Sequence, residues 1–384
     1  MRTAIRPDVH NLPVMRLVST RHLHAGTVVA RPVRSGPVGT APLVIQGTVL
    51  TETMCRRLLE LGVAAVWVDD EIGEGIEPLE ALSPETRDAA ERDVIATLND
   101  AREALAAGQQ LPQQAVDRIR DAAGAIAREI AAMPEAAYAL SEMRIADHYT
   151  HEHSVRVTTL GLLLAARHWK AHGWTDHRGR QRHDAFQQRM TQLGFGLMVH
   201  DIGKLAIPRD VLDKPGRLDA DEWELIKRHP DLGAAMLSHT TTSMLAISVV
   251  RFHHERWDGA GYPRRLAGRR ISELARIAAV ADVYDAVRSE RPYKPARPPH
   301  VGYEVVRDGA GSAFDPAIVH TFCQVVMPYP VGHELELADG LTGAVAAVDP
   351  ARPYAPTVRW RDAGGTIVER EVDLAERRRE AEGV

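Results

Sequence analysis

Between Leu193 and Pro208 the chain reads LGFGLMVHDIGKLAIP. An apolar run of the kind that makes a buried helix ends in adjacent His200 and Asp201, with Lys204 one helical turn beyond His200. Burying an imidazole, a carboxylate and an ammonium is costly unless each is paired or coordinated, so the stretch asks for a cation or a phosphate to satisfy it. A chain carrying it must pack its helices around a polar centre.

At 384 residues there is room for two or three domains, and 45% hydrophobic with 26% charged residues is the balance of a soluble globular protein. The net charge of −5 and a pI near 6.4 argue against bulk electrostatic binding to a nucleic acid polymer, which needs a basic face. Cys55 and Cys323 stand far apart, which excludes a disulfide framework and fits a reducing compartment. The start, MRTAIRPDVHNLPVMRL, lacks a continuous apolar leader, and runs such as Leu160 to Ala166 fall far below the ~18 residues that span a bilayer. These features place the protein in the cytoplasm, off the membrane.

Patterning divides the chain. Residues 1–78 read as a small α/β module: a β-rich start broken by Gly and Pro, a short helix in TETMCRRLLELG, and a buried strand in VAAVWVDD. Without a Gly-rich phosphate loop, it reads as regulatory or dimerising. Residues 79–134 form a helical connector, with Ala-rich helices over 84–107 and 112–132 that suit close packing or a stalk and are compatible with a homodimer. A further helix over 134–143 leads into DHYTHEHSVRVTTLGLLLAARHW, where Val155, Leu160, Leu163 and Leu164 lie at helical spacing and His153 heads the stripe. The polar stretch 170–189 reads as a loop plus a helix start, a lid or a partner surface. Residues 329–384 alternate apolar and polar, predicting a few antiparallel strands and a charged helical tail, docked on the helical domain or on a second subunit.

The histidines stand at the polar ends of apolar helices, His229 before Pro230 and adjacent His253 and His254 before a Gly-rich turn, and a further apolar helix bears Asp282 and Asp285 on one face at i and i+3. A lone His-Asp pair occurs often by chance, and a bare Asp on an apolar helix is usually a cap. It is the order of the set that carries weight. Imidazoles mixed with carboxylates suit Fe, Mn, Zn or Ni. There are more such groups than one ion takes, and two ions roughly 3.5–4 Å apart can share a hydroxide that attacks phosphorus. That is a phosphodiester hydrolase in outline. Lys204 offers a compact charge for a phosphate or leaving oxygen, and Arg291 with Lys294 a fork and a point charge for a second phosphate.

Residues 135 to 327 resemble the HD-GYP family of HD-domain metallophosphohydrolases, through HDIGK at 200–204, HHERWDGAGYP at 253–263, ADVYDA at 281–286 and RPYK at 291–294. The resemblance implies a mostly α protein. An HD-domain helical bundle over 135–328 would sit between the small N-terminal α/β module and a short C-terminal β-rich module at 329–384. It implies cleavage of cyclic di-GMP to linear pGpG, and in some members on to GMP. By motif, the metal ligands are His153, His200, Asp201, His229, His253, His254 and Asp282, with Asp201 bridging two divalent transition ions, iron or manganese ahead of zinc or nickel. Asp201 and Lys204 are then catalytic, while Lys204, Tyr262, Asp285, Arg291 and Lys294 hold the dinucleotide. Members with a third metal carry a Glu one turn before the first histidine; here Tyr149 stands there, which implies two metals and a stop at pGpG. Two alternatives remain: a non-catalytic sensor of cyclic di-GMP that docks on diguanylate cyclase domains, or an HD hydrolase of another cyclic nucleotide.

Overall fold

The computed structural model describes residues 15–34, 41–78, 80–132, 149–176, 179–214, 216–289, 297–337 and 340–375. At the N-terminal end, β1 (Arg16–Ser19) and β2 (Val28–Val29) pair antiparallel with β3 (Ala65–Asp69), giving the order β1-β3-β2. The helix α1 (Glu52–Glu60) starts where the Thr51 hydroxyl accepts the Met54 N–H. It buries Cys55 and Leu58 against Val18, Val29, Val66 and Val68, a core separate from that of the helices. This is the α/β module expected from the sequence.

Helix takes over at Ser83, whose hydroxyl accepts the Thr86 N–H, with Pro84 in the first turn where its missing donor is harmless. In chain order come α2 (Pro84–Ala106), α3 (Gln113–Ala132), α4 (Tyr149–His172), α5 (Phe186–Met198), α6 (Arg209–Leu212), α7 (Ala220–Ile226) and α8 (His229–Leu237). They are followed by α9 (Met244–Phe252), α10 (Glu273–Arg288), α11 (Pro299–Asp308) and α12 (Pro316–Val325). Small side chains let the Ala-rich pair close in: Ala101, Ala115, Ala123 and Ala127 are fully buried, and α3 packs on both α4 and α5 within one continuous core.

One sequence expectation is corrected at α4. The apolar spacing suggests a stripe at 155, 160, 163 and 164, but Val157, Leu162 and Ala165 are as buried as Val155 and Leu160. Helices α2, α3, α5, α10 and α12 surround α4, so it is the enclosed central helix of the bundle. A second correction concerns 170–189. Helix α4 runs on to His172, and β4 (Trp174–Thr175) pairs with β5 (Gln181–Arg182) as a hairpin instead of an open loop. The Trp174 indole donates to the Asp184 carbonyl, and the Arg189 guanidinium lies 3.7 Å over the Trp174 ring, fixing the hairpin on the start of α5.

The last strands, β6 (Glu334–Glu336), β7 (Thr342–Ala347), β8 (Thr357–Arg361) and β9 (Ile367–Glu371), form an antiparallel sheet in sequence order. It meets the helices where Tyr354 packs edge-on against Tyr303 at 6.1 Å. It also returns to the first module, which the sequence did not suggest. The Leu17 N–H donates to the Gly332 carbonyl at 2.7 Å, the Ser19 N–H to the Glu334 carboxylate at 3.0 Å, and Arg361 pairs with Glu71 at 2.6 Å. The expected helix at 134–143 and the charged tail beyond 375 lie outside the described residues. Among the described residues no helix is long and apolar enough to cross a membrane.

Candidate metal centre

Five helices meet at one point, four through their ends and the fifth through its middle. His153 lies in the first turns of α4, His200 and Asp201 in the turn that ends α5, His229 at the first residue of α8, His253 and His254 just past α9, and Asp282 within α10. The turn after Asp201 is pressed against α8. A Cβ at Gly203 would lie 2.0 Å from the His229 carbonyl oxygen and 2.5 Å from the Gly233 nitrogen, so only glycine lets the two backbones meet.

His153, His200, His229, His253, Asp201 and Asp282 are all buried, and His254 is half-buried. They fall into two sets, Asp201 with His229, His253 and His254, and His153 with His200 and Asp282; within each set the ligand atoms lie within 4.8 Å of one another. The aspartates straddle the sets. Asp201 Oδ1 is 3.4 Å from His229 Nε2, while its Oδ2 is 3.5 Å from His200 Nε2 and 3.9 Å from His153 Nε2. Asp282 Oδ1 is 3.2 Å from His153 Nε2, and its Oδ2 is 3.9 Å from His254 Nδ1.

The donor chemistry fits divalent ions. His200 Nδ1 donates to the Leu197 carbonyl at 2.7 Å, His229 Nδ1 to that of Ile226 at 2.8 Å and His253 Nδ1 to that of Val250 at 2.9 Å. A carbonyl can only accept, so each Nδ1 carries a proton and each ring turns its Nε2 inward. His229 Nε2 and His253 Nε2 then stand 3.3 Å apart, as do His153 Nε2 and His200 Nε2. Facing lone pairs at that distance repel unless a proton or a metal ion lies between them. Burial pushes His253 well down, with the neighbouring histidines adding to it, and pushes His254 down to about 3, so these rings stay unprotonated and free to ligate. Burial alone would raise Asp201 and Asp282. The Lys204 charge and the imidazoles outweigh it at Asp201, and the hydrogen bond from His153 with the surrounding imidazoles does so at Asp282, so both stay ionised.

Not every expected site residue reaches the centre. Asp285 was expected to hold the dinucleotide, but its carboxylate is buried and already committed. It accepts from His153 Nδ1 at 2.7 Å, from Arg156 at 2.6 and 3.1 Å and from the Ser289 hydroxyl at 3.1 Å. It therefore orients His153, with the Arg156 guanidinium and the Ser289 hydroxyl holding the carboxylate in place. Lys204 Nζ lies 2.6 Å from Asp201 Oδ2, with its side chain about a third exposed at 35%. Tyr262 stacks on His254, ring centres 4.8 Å apart at 30°. Arg291 and Lys294 lie outside the described residues, as does the side chain of Tyr149.

Four residues that shape the site had no role assigned from sequence. Arg156, one turn after His153 on α4, clamps Asp285; its i+3 spacing from the histidine was the available signal. Glu255, buried behind the paired histidines, accepts the Arg264 N–H at 2.6 Å and the Leu266 N–H at 2.9 Å, closing the loop that presents Tyr262. Gly261 completes that loop, since a Cβ there would sit 2.5 Å from the His254 carbonyl. Trp223 on α7 stands against Tyr262, ring centres 6.4 Å apart. A further cluster, Glu91, His151 and Glu152, joins α2 to α4, with Glu152 3.5 Å from Arg156.

A helical bundle closing on imidazoles and bridging carboxylates defines the HD-domain class of metal-dependent phosphodiesterases, and residues 179–318 match the family model described as the HD domain. A cyclic di-GMP phosphodiesterase of Pseudomonas aeruginosa is 34% identical over 313 residues, 76% of this chain and 71% of that protein. A cyclic di-GMP phosphodiesterase of Thermotoga maritima is 35% identical over 188 residues, 48% of this chain and 46% of its own. A Vibrio cholerae phosphodiesterase specific for 3′3′-cGAMP is 39% identical over 123 residues, 32% of this chain and 24% of its own. With the Gly261-Tyr262-Pro263 loop seated on the metal-facing His254, the chain belongs to the HD-GYP family and is a hydrolase.

Proposed function

We propose that the protein hydrolyses cyclic di-GMP to linear pGpG with two divalent ions, iron or manganese, held by His153, His200, Asp201, His229, His253, His254 and Asp282. The observation that carries this reading is the division of Asp201, whose two oxygens address different imidazole sets at 3.4 and 3.5 Å, as a bridging carboxylate must. When bound, such an ion pair lowers the pKa of a shared water and neutralises charge on the phosphoryl group. The chain supplies the rest. Arg156 and Asp285 hold His153 in the tautomer that ligates, and Lys204, at the solvent edge of Asp201, brings positive charge to a phosphoryl or leaving oxygen. Arg291 and Lys294 are assigned to the second phosphate by their motif. Tyr149 in place of a Glu argues for two ions and a single cleavage.

The relatives from Pseudomonas and Thermotoga support cyclic di-GMP as substrate. The Vibrio relative supports a second reading, the same centre acting on 3′3′-cGAMP. Purified protein reconstituted with Fe or Mn and given each dinucleotide separately tests both, with products separated by chromatography. The expected result is metal-dependent release of pGpG, lowered roughly a thousandfold or more by Asp201→Asn because several kcal/mol of charge stabilisation is lost. Cleavage unaffected by Asp201→Asn refutes the mechanism, and a preference for 3′3′-cGAMP selects the second reading.

A further inference from the structure

Beside the ligands runs an aromatic file that cleavage of a phosphodiester does not itself require. From His254 outward come Tyr262, 4.8 Å away at 30°, and Trp223, a further 6.4 Å away at 75°. Trp223 stands on a firmly held turn: Asp219 and Glu222 form a reciprocal capping box, and the Glu222 carboxylate also takes Lys214 Nζ at 2.5 Å. Its indole is nevertheless 46% exposed, whereas Trp67 and Trp169 are buried at 6% and 2%. A single exposed apolar side chain is ordinary. This one differs in standing on a doubly capped turn, set edge to face on the tyrosine of the metal-facing loop, and carried on the helix just before α8, which begins at His229. Exposed aromatic faces beside a phosphate-directed centre are what nucleobases stack on.

We propose that Trp223 is a base-stacking residue, its exposed indole meeting Tyr262 at a corner where a purine of the substrate lies on the indole while its phosphodiester reaches the metal centre. The substrate's identity rests on the proposed hydrolysis of cyclic di-GMP; the stacking surface does not. The test uses the full chain. Titration with GMP quenches a component of tryptophan emission that wild type has and Trp223→Phe lacks, and ribose 5-phosphate leaves that component unchanged. In steady-state assays Trp223→Ala raises KM for cyclic di-GMP roughly tenfold, with kcat and bound metal per chain near wild type, and Trp223→Phe recovers most of the loss. An unchanged KM in Trp223→Ala, or identical GMP quenching in wild type and Trp223→Phe, overturns the assignment and leaves hydrolysis standing. A fall in kcat alone, or loss of metal, marks a structural role and also overturns it. If wild type turns over no cyclic di-GMP, the proposed function fails, and the GMP titration by itself decides the stacking.

Discussion

The metal centre and the seam between the first and last modules are both made of paired charges, but they obey different physics. In the centre Asp201, Asp282 and Asp285 are 6%, 7% and 2% exposed. At the seam the Arg361 and Glu71 side chains are 47% and 72% exposed. Water and salt screen this seam pair, which is worth at most about 1 kcal/mol. Removing one partner of a buried set strands the other and costs about 3–5 kcal/mol. Burying charges rarely stabilises a fold better than well-packed apolar side chains would, so the charges in the bundle are explained by chemistry and those at the seam by alignment.

The comparison breaks if the centre tolerates intrusion. Gly203→Ala puts a methyl group 2.0 Å from the His229 carbonyl oxygen, where both neighbours are backbone. Overpacking against backbone is expected to cost about 3 kcal/mol, the upper end of its usual range, and to move α8 off the centre. Thermal melting and metal content should fall together. A variant that keeps full metal content and a wild-type melting temperature would show that α8 is not seated as described.

Asp285→Asn sharpens the comparison by altering the support of a ligand without touching a ligand. Loss of the carboxylate behind a metal-binding imidazole typically lowers metal affinity or activity about 10–100-fold, and that loss is expected here. It also has a pH signature in ion-free protein. Burial opposes the His153 imidazolium, but the hydrogen bonds to Asp282 and Asp285 prevail and raise it from 6.5 to about 9. The folded state thus holds this proton more tightly than the unfolded chain. The stabilisation is complete below pH 6.5 and drains away as pH rises through about 9. His254, pushed down to about 3, acts in the opposite sense, and stability falls as pH drops from 6.5 towards 3. Ion-free protein should therefore melt highest near pH 6.5, and Asp285→Asn should flatten the alkaline limb. The variant also removes the stabilisation that the depressed Asp285 carboxylate gives above the ordinary carboxylate range and loses as pH falls below it. An alkaline limb of unchanged slope in the variant would remove Asp285 from its positioning role.

Most of the fold and the inner centre could be read from the sequence because both follow local rules. A proline behind a capping serine starts α2, and histidines at the ends of apolar helices must face something polar. What escaped depends on distant segments. Nothing near Leu17 announces that its N–H will meet the carbonyl of Gly332, and nothing near Asp285 says that Arg156 will occupy its oxygens before a substrate can. The stripe expected on α4 failed for the same reason. Spacing reports one buried face, and only the packing of five neighbouring helices encloses the others.

The smallest expected effect lies at the seam. Arg361→Ala removes the ion pair with Glu71 and the bond to the Gly365 carbonyl, both among exposed groups, and should lower stability by less than about 1 kcal/mol, and by less still in high salt. Metal content and the catalytic parameters should not move, since the ion pair and the hydrogen bond that Arg361 makes from β8 go to Glu71 and Gly365, outside the centre. The backbone bond from Leu17 and the Ser19 contact with Glu334 remain to hold the two modules together. Chemical unfolding in low and high salt measures the loss. A drop of several kcal/mol, or one that salt leaves unchanged, would mean that the seam behaves like the buried centre, and the distinction between charges kept for chemistry and charges kept for alignment would fail at its weaker end.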